Sequence, residues 1–569
     1  MKKRIFCFLL TILMLGSYVS AAAAAASGSS YTDVPSNHWA ASEISQATQL
    51  GIIKGIGDGR FGLGQSVTRA QFATMLVRLF NWALVTPSTP SFSDNTNQNA
   101  WYYSEIETAV ANGAVRKDTS LFRPNDIITR EDMAVMLVRA LGYDTLATSV
   151  AGYGLPFTDV TQNVGYITMA YNFGITNGTT GTTFEPSGSA TREQAVAMMI
   201  RLYDKYNAKI NWLHAFYAIS SASQMSCIPD FSAISLGWSR LEYTAAGDVS
   251  LNTSSSGGNS FSFPSGYLSV TQTAQNSGVS TNLDVYMSTA QTLTKSDGTV
   301  SNACREILLS SANRSAAIAQ IMTQLQNNAF LSGVTIDFEG MSGSDLKAGL
   351  SSFIQDLRTA TDNMGKTLYV CVPPVTSDGQ YYNAYDYRTL ATYSDKIILM
   401  AHDYEATSMP ANLMSAGFTT TPLTPIQEIY YALKAITDPN TGVQDLKKVA
   451  LAISFNTAQW QLQNNIVINA APYHPDTSSV YSRLINAETT IHYSTQYQNP
   501  YATFYNDSNG TQNVIWYEDE RSVLAKVDLA RMFGVTGISV WRLGLIPNYT
   551  NSAGQDIHFN VLNVLLNEK

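Results

Sequence analysis

Gly333-Val334-Thr335-Ile336-Asp337-Phe338-Glu339-Gly340 is the stretch that decides the fold of this chain. A short β-branched run ending in two carboxylates and a glycine reads as a strand that carries Asp337 and Glu339 toward its end. Strand side chains alternate faces, so Asp337 and Glu339 share one face while Ile336 and Phe338 share the other. Two carboxylates that close cannot both ionise cheaply. One therefore keeps its proton to higher pH, as a general acid near neutrality requires. In isolation the pair would read as a solvated strand end; its surroundings select the catalytic reading.

Around this stretch, from Ile210 onward, short apolar runs alternate with helical patterns. Strands are expected at 211–219, 232–236, 282–289, 334–339, 367–372, 396–402, 448–454 and 537–541. Helices are expected at 314–327, 344–361, 425–437 and 521–533. Alternating β and α units predict an α/β fold with a parallel sheet. Eight strands over about 360 residues suit a TIM (β/α) barrel with insertions, whose active sites lie where strands end. Glu339 occupies such an end.

This segment resembles the fourth-strand DxxDxDxE motif of glycoside hydrolase family 18, with Glu339 and Asp337 kept and Thr335 and Ser332 in place of the two earlier aspartates. Met400-Ala401-His402-Asp403-Tyr404 resembles the sixth-strand MxYD, with His402 in place of the tyrosine. Gly537-Ile538-Ser539-Val540-Trp541-Arg542-Leu543-Gly544 resembles the eighth-strand end, and Trp516-Tyr517-Glu518-Asp519-Glu520-Arg521-Ser522 is similar to a segment of the spore-cortex and cell-wall branch. The resemblance implies Glu339 as catalytic acid/base and Asp337 as its partner. It also implies substrate contacts by His402, Asp403, Tyr404 and Trp541. Thr335 removes a buried charge that would tune Asp337, whereas His402 can still donate a hydrogen bond. The family is one of the substrate-assisted exceptions to two-carboxylate hydrolysis, which implies N-acetylglucosamine on the non-leaving side of the bond.

The first third of the chain is an internal repeat. Thr68-Arg69-Ala70-Gln71-Phe72, Thr129-Arg130-Glu131-Asp132-Met133 and Thr191-Arg192-Glu193-Gln194-Ala195 each open an apolar helical pattern with an N-capping threonine. Tyr31-Thr32-Asp33, Phe92-Ser93-Asp94 and Phe157-Thr158-Asp159 open the units. This layout resembles three S-layer homology domains, a mainly α-helical pseudo-trimer. The resemblance implies binding of a pyruvylated secondary cell-wall polymer by Asp33, Trp39, Arg69, Asp94, Trp101, Arg130, Asp159 and Arg192. Tyr166 stands where the third unit's tryptophan is expected, which predicts a weaker third groove. Arginine forks suit carboxylates and tryptophan suits pyranose faces.

Met1-Lys2-Lys3-Arg4, the apolar run to Val19 and the alanines from Ala21 to Ala26 read as a cleaved secretory signal. The expected divisions are a signal at 1–26, repeats at 27–86, 87–148 and 149–206, and a barrel at 207–569. The run is short for a membrane span. Net charge −9 and only 14% charged residues argue against nucleic-acid binding. Three irregularly spaced cysteines beyond the signal indicate neither a disulfide framework nor a zinc site, and the six histidines are scattered. No cofactor or metal is expected. The sequence thus predicts a wall-attached retaining glycosidase acting on peptidoglycan. Chitin as substrate, or an inactive glycan-binding surface protein, are the alternatives.

Overall fold

The computed structural model describes residues 31–244, 246–295, 297–550 and 556–569, so the expected signal segment lies outside the described residues. Eight parallel strands close into a barrel: β1 Trp212–Tyr217, β2 Ala233–Tyr243, β3 Ser280–Ser288, β4 Gly333–Glu339, β5 Thr367–Val372, β6 Lys396–Leu399, β7 Val449–Ser454 and β8 Gly537–Trp541. Closure is made by β1, which pairs with β8 on one side and β2 on the other. Helices such as Ser344–Asp362, Ile426–Ile436 and Glu520–Met532 cover the outside. The expected α/β barrel is therefore present.

Period-2 alternation sorts the strand residues into two layers. Leu283, Val285, Val334, Ile336 and Phe338 belong to the apolar layer beneath the helices. Trp212, Phe216, Tyr369, Cys371, Ile398 and Ala452 form a separate cluster inside the barrel. Asp284, Thr335, Asp337 and Glu339 lie on the inner positions of β3 and β4, in the layers that fill such a barrel.

Two strand ends differ most from expectation. β2 runs on to Tyr243, across a register shift between Leu236 and Ser239. β6 stops at Leu399 because Met400 to Tyr404 turn over the barrel mouth, with Asp403 in the left-handed region at φ 59°. A five-stranded antiparallel sheet, not foreseen as such, is inserted after β7. Its strands are Ala458–Gln463, Ile466–Val467, Thr490–Ser494, Asn499–Asn506 and Thr511–Trp516.

The repeats form helices α1 Ala41–Gln49, α2 Arg69–Leu79, α3 Tyr103–Ala111, α4 Arg130–Ala140, α5 Asp144–Ser149, α6 Val164–Asn172 and α7 Arg192–Tyr206. Thr68 and Thr129 cap α2 and α4 through their side chains, while at α7 Gln194 reaches back to the Thr191 N–H. Contacts run cyclically. Arg69, Arg130 and Arg192 each donate through Nε to the carbonyl of the next unit's phenylalanine, Phe122, Phe184 and Phe61, at 2.8, 2.8 and 3.0 Å. Each guanidinium also lies over that same ring. Backbone bridges Thr68–Ile127, Thr129–Ser189 and Ser66–Thr191 repeat the cycle. The third unit packs on the barrel through Phe173 against Phe533, the Asn172 amide on the Tyr430 hydroxyl and Lys205 on the Met532 carbonyl. Among the described residues, no helix is long and apolar enough to cross a membrane.

Candidate active site

Glu339 is the last residue of β4, and the chain turns away at Gly340 with φ 75°. A Cβ at Gly340 would lie 2.5 Å from Thr289 Oγ1, so both the backbone angle and the close approach require glycine. Thr289 Oγ1 donates to the Gly340 carbonyl, and the Tyr385 hydroxyl donates to the Phe338 carbonyl at 2.6 Å. These bonds fix the strand end from both sides.

Glu339 opens into a cleft of about 510 Å³, lined also by Ser288, Tyr381, Tyr382, Met400, His402, Asp403 and Tyr404. A larger cavity of about 800 Å³ lies where the third repeat meets the barrel, and Glu339 is not among the residues lining it. Burial pushes the Glu339 carboxyl above its usual value; His402 offsets part of this and Asp403 adds to it. His402 Nδ1 lies 2.9 Å from Asp403 Oδ2. Burial alone would raise Asp403. Instead, His402 and hydrogen bonds from His402, Ser454 and Asn456 hold its carboxyl below the usual range. The cleft thus sets two carboxyls apart: Glu339 keeps its proton longer, and Asp403 loses it earlier.

Asp337 lies one inner layer below Glu339, 3% exposed. Burial first, then Asp284, then Glu339 drive its carboxyl well up, against a hydrogen bond from Cys371. Asp284, fully buried on β3, was not singled out from sequence. It faces Thr335 in register, and burial and Glu339 raise it strongly. The charge missing at Thr335 is thus matched by a carboxyl on the neighbouring strand. A lone aspartate at an inner position of the run Asn282-Leu283-Asp284-Val285-Tyr286 was the available signal.

Other expected residues are dispersed. Ser332 lies before β4, where its Oγ accepts from the Thr281 N–H. Tyr404 borders the cleft, but its hydroxyl is buried without a hydrogen-bond partner. Trp541 caps the inner cluster beside Met400, its ring 5.1 Å from that of Phe216. Glu405, also unremarked in the sequence, is pushed up to about 7 by burial and by Asp403.

In the repeats, the aspartates serve backbone. Asp33 accepts from Phe61, Gly62 and Leu63 N–H groups; Asp94 from Phe122 and Arg123; Asp159 from Phe184 and Glu185. The three arginines brace neighbouring units as described. Trp39 and Trp101 are each 56% exposed, whereas Tyr166 is buried with its hydroxyl on Asp144. Trp101 lines a groove of about 400 Å³ with Arg78 and Arg192.

Residues 295–545 match the model of Glycosyl hydrolases family 18, a span that begins after β3. Residues 30–73, 92–134 and 156–196 match the S-layer homology domain. "Putative sporulation-specific glycosylase YdhD" of Bacillus subtilis is 26% identical over 238 residues, 39% of this chain and 51% of that protein. "S-layer protein sap" of Bacillus anthracis is 32% identical over 206 residues, 36% of this chain and 24% of that protein. The chain thus spans about half the length of the first and a quarter of the second. The Bacillus cereus spore cortex-lytic enzyme SleL aligns at TM-score 0.47 and 18% identity, covering 63% of this chain and 74% of that one. Chitinase from Chromobacterium violaceum aligns at TM-score 0.45 and 18% identity, covering 62% and 98%. Residues 295–545 thus carry a region that matches the family 18 glycosyl hydrolases, behind three segments that match the S-layer homology domain.

Proposed function

We propose that this protein is a cell-surface glycosidase that cleaves the β-1,4 bond after N-acetylglucosamine in peptidoglycan, with retention. The observation that carries this reading is the Glu339 carboxyl at the cleft, raised by burial and placed directly above buried Asp337. Glu339 would protonate the leaving glycosidic oxygen. The substrate's own acetamido carbonyl oxygen would bond to the anomeric carbon as the C–O bond breaks, giving an oxazolinium ion. Asp337 would hold the acetamido N–H and offset its positive charge. His402 and Asp403 would orient the acetamido group and neighbouring hydroxyls, with Trp541 beneath the sugar ring. Water, deprotonated by Glu339, would then attack the anomeric carbon from the face that the leaving group vacated, breaking its bond to the acetamido oxygen and restoring the acetamido group.

The anchor favours wall glycan over chitin, because an enzyme tied to its own wall meets peptidoglycan at high effective concentration. Purified protein incubated with peptidoglycan and with chitin oligosaccharides should release N-acetylglucosamine reducing ends from the first preferentially. Preference for chitin oligosaccharides would make it a chitinase, and no release from either would make it a glycan-binding protein.

Attachment is proposed through the S-layer homology repeats to an acidic secondary cell-wall polymer. Exposed Trp39 and Trp101 are the groups to test, since Arg69, Arg130 and Arg192 also hold the repeats together. Trp39→Ala with Trp101→Ala should weaken sedimentation with purified walls at least tenfold, about 1.4 kcal/mol. The thermal midpoint should be unchanged, and undiminished sedimentation would reject these two side chains as contacts.

A further inference from the structure

The inner face of the barrel holds more buried acid than the reaction above uses. Asp284 is fully buried, and neither of its carboxyl oxygens has a hydrogen-bond partner. Asp337 Oδ1 is likewise without one. No ion pair to either aspartate occurs among the described residues. Thr335, directly opposite Asp284, pairs its hydroxyl with Ser235 Oγ at 2.6 Å, and neither Asp284 oxygen receives a hydrogen bond from it. Ser235 in turn meets His214 Nε2, and His214 Nδ1 meets Ser539 Oγ, each at 2.8 Å. That hydroxyl–imidazole chain is complete in itself, and burial holds His214 down to about 3, so it supplies no positive charge at neutral pH.

A buried carboxylate with neither cation nor N–H donor is costly and takes up a proton instead. A protonated carboxyl then needs an acceptor, and a second carboxylate is the one that the inner face provides. We propose that Asp284 is a positioning residue for Asp337: the two carboxyls hold one proton between them, and its location decides how much negative charge Asp337 presents to the cleft. With the proton on Asp284, Asp337 is the anion facing the acetamido group. With the proton on Asp337, the charge lies one strand away and the site above it is neutral. The proton only changes oxygen within the pair, so no other donor or acceptor is consumed.

Several titratable groups face the pair, among them Tyr385, whose hydroxyl is driven up by burial and further by Asp337 and Glu339. Glu339 lies above on β4, and Tyr286 stands opposite Asp337 on β3, its ring stacked on Phe261 at 4.4 Å. Cys371 reaches Asp337 from β5, its thiol driven well up by burial and by the three carboxyls. His402 and Asp403 reach only as far as Glu339. Asp284 also faces Glu339 electrostatically, but its proposed positioning role is exerted through Asp337.

The kinetic consequence rests on the substrate-assisted reading, but the shared proton does not, so two measurements separate the two failures. The first is carboxyl ¹³C NMR of the full chain labelled at aspartate. One carboxyl should remain protonated through neutral pH in the wild type, and that signal should vanish in both Asp284→Asn and Asp337→Asn. Two buried aspartates that each titrate alone in the ordinary carboxylate range would overturn the proposal, whatever the activity. The second is turnover of the glycan that the wild type cleaves. Asp284→Asn should lower kcat at least about tenfold, equivalent to displacing the pair's proton by one pH unit. KM should hold, and the pH profile of kcat should shift. An Asp284→Asn protein with wild-type kcat and pH profile would overturn the positioning role even if the proton is shared. If Asp284→Asn does not fold, the wild-type titration alone decides.

Discussion

Glu339→Gln is expected to lower kcat by about 10²–10⁴ while glycan affinity stays within a few-fold, because the amide keeps the shape and cannot give up a proton to the leaving oxygen. The environment sharpens this expectation. Burial and Asp403 raise the Glu339 carboxyl more than His402 lowers it, so the protonated form persists above the ordinary carboxylate range. An acid works while protonated; kcat should therefore fall as pH rises through that raised value. The residual rate of Glu339→Gln should lack this alkaline fall. Asp403, held low, remains ionised throughout the same window and contributes no step there. Rates on the cleaved glycan across pH, with binding measured calorimetrically, check both parts. A variant retaining more than a tenth of wild-type kcat would remove Glu339 from the acid role.

The barrel was legible because parallel strands buried on both faces read as continuous apolar runs, and such runs need no partner to be recognised. The 367–372 and 537–541 strands lie where the sequence placed them. The inserted sheet was harder to read. Strands such as Asn499–Asn506 mix polar and aromatic residues, and the hairpin signal Asn509-Gly510 stands without a strong apolar run beside it. The acidic pair at 337 and 339 was visible because both residues lie on one strand. Asp284 was not, because its relation to Thr335 exists only once β3 pairs with β4 in register. The repeat aspartates illustrate the converse limit. A residue that caps backbone and one that binds ligand leave the same periodic signature, and only the bonds to Phe61, Phe122 and Phe184 N–H groups display the structural duty.

Lys526→Met should destabilise the barrel by about 3–5 kcal/mol, because it strands a buried carboxylate. Lys526 Nζ lies 2.7 Å from Glu518 Oε2, with side-chain exposures of 1% and 0%. Ser522 Oγ donates to that same oxygen, and Asn499 Nδ2 donates to Oε1 at 3.0 Å. Asn499 in turn accepts from the Leu423 N–H, and the Leu423 carbonyl accepts from the Tyr404 N–H beside the cleft. One carboxylate thus ties a covering helix, the inserted sheet and the loop that borders the substrate cleft. Glu518→Gln should cost a similar amount by leaving the ammonium unpaired. Glu518→Leu combined with Lys526→Met removes both charges, and well-packed apolar replacements of buried pairs are often neutral in stability. That double variant should recover most of the thermal midpoint. Its kcat/KM should remain below wild type, because Asn499, which accepts from the Leu423 N–H at the cleft border, would have lost its bond to Glu518 Oε1. Full recovery of kcat/KM together with stability would show that the network only holds the fold. A double variant as unstable as Lys526→Met alone would show that the cost lies in packing around these side chains and not in the stranded charge.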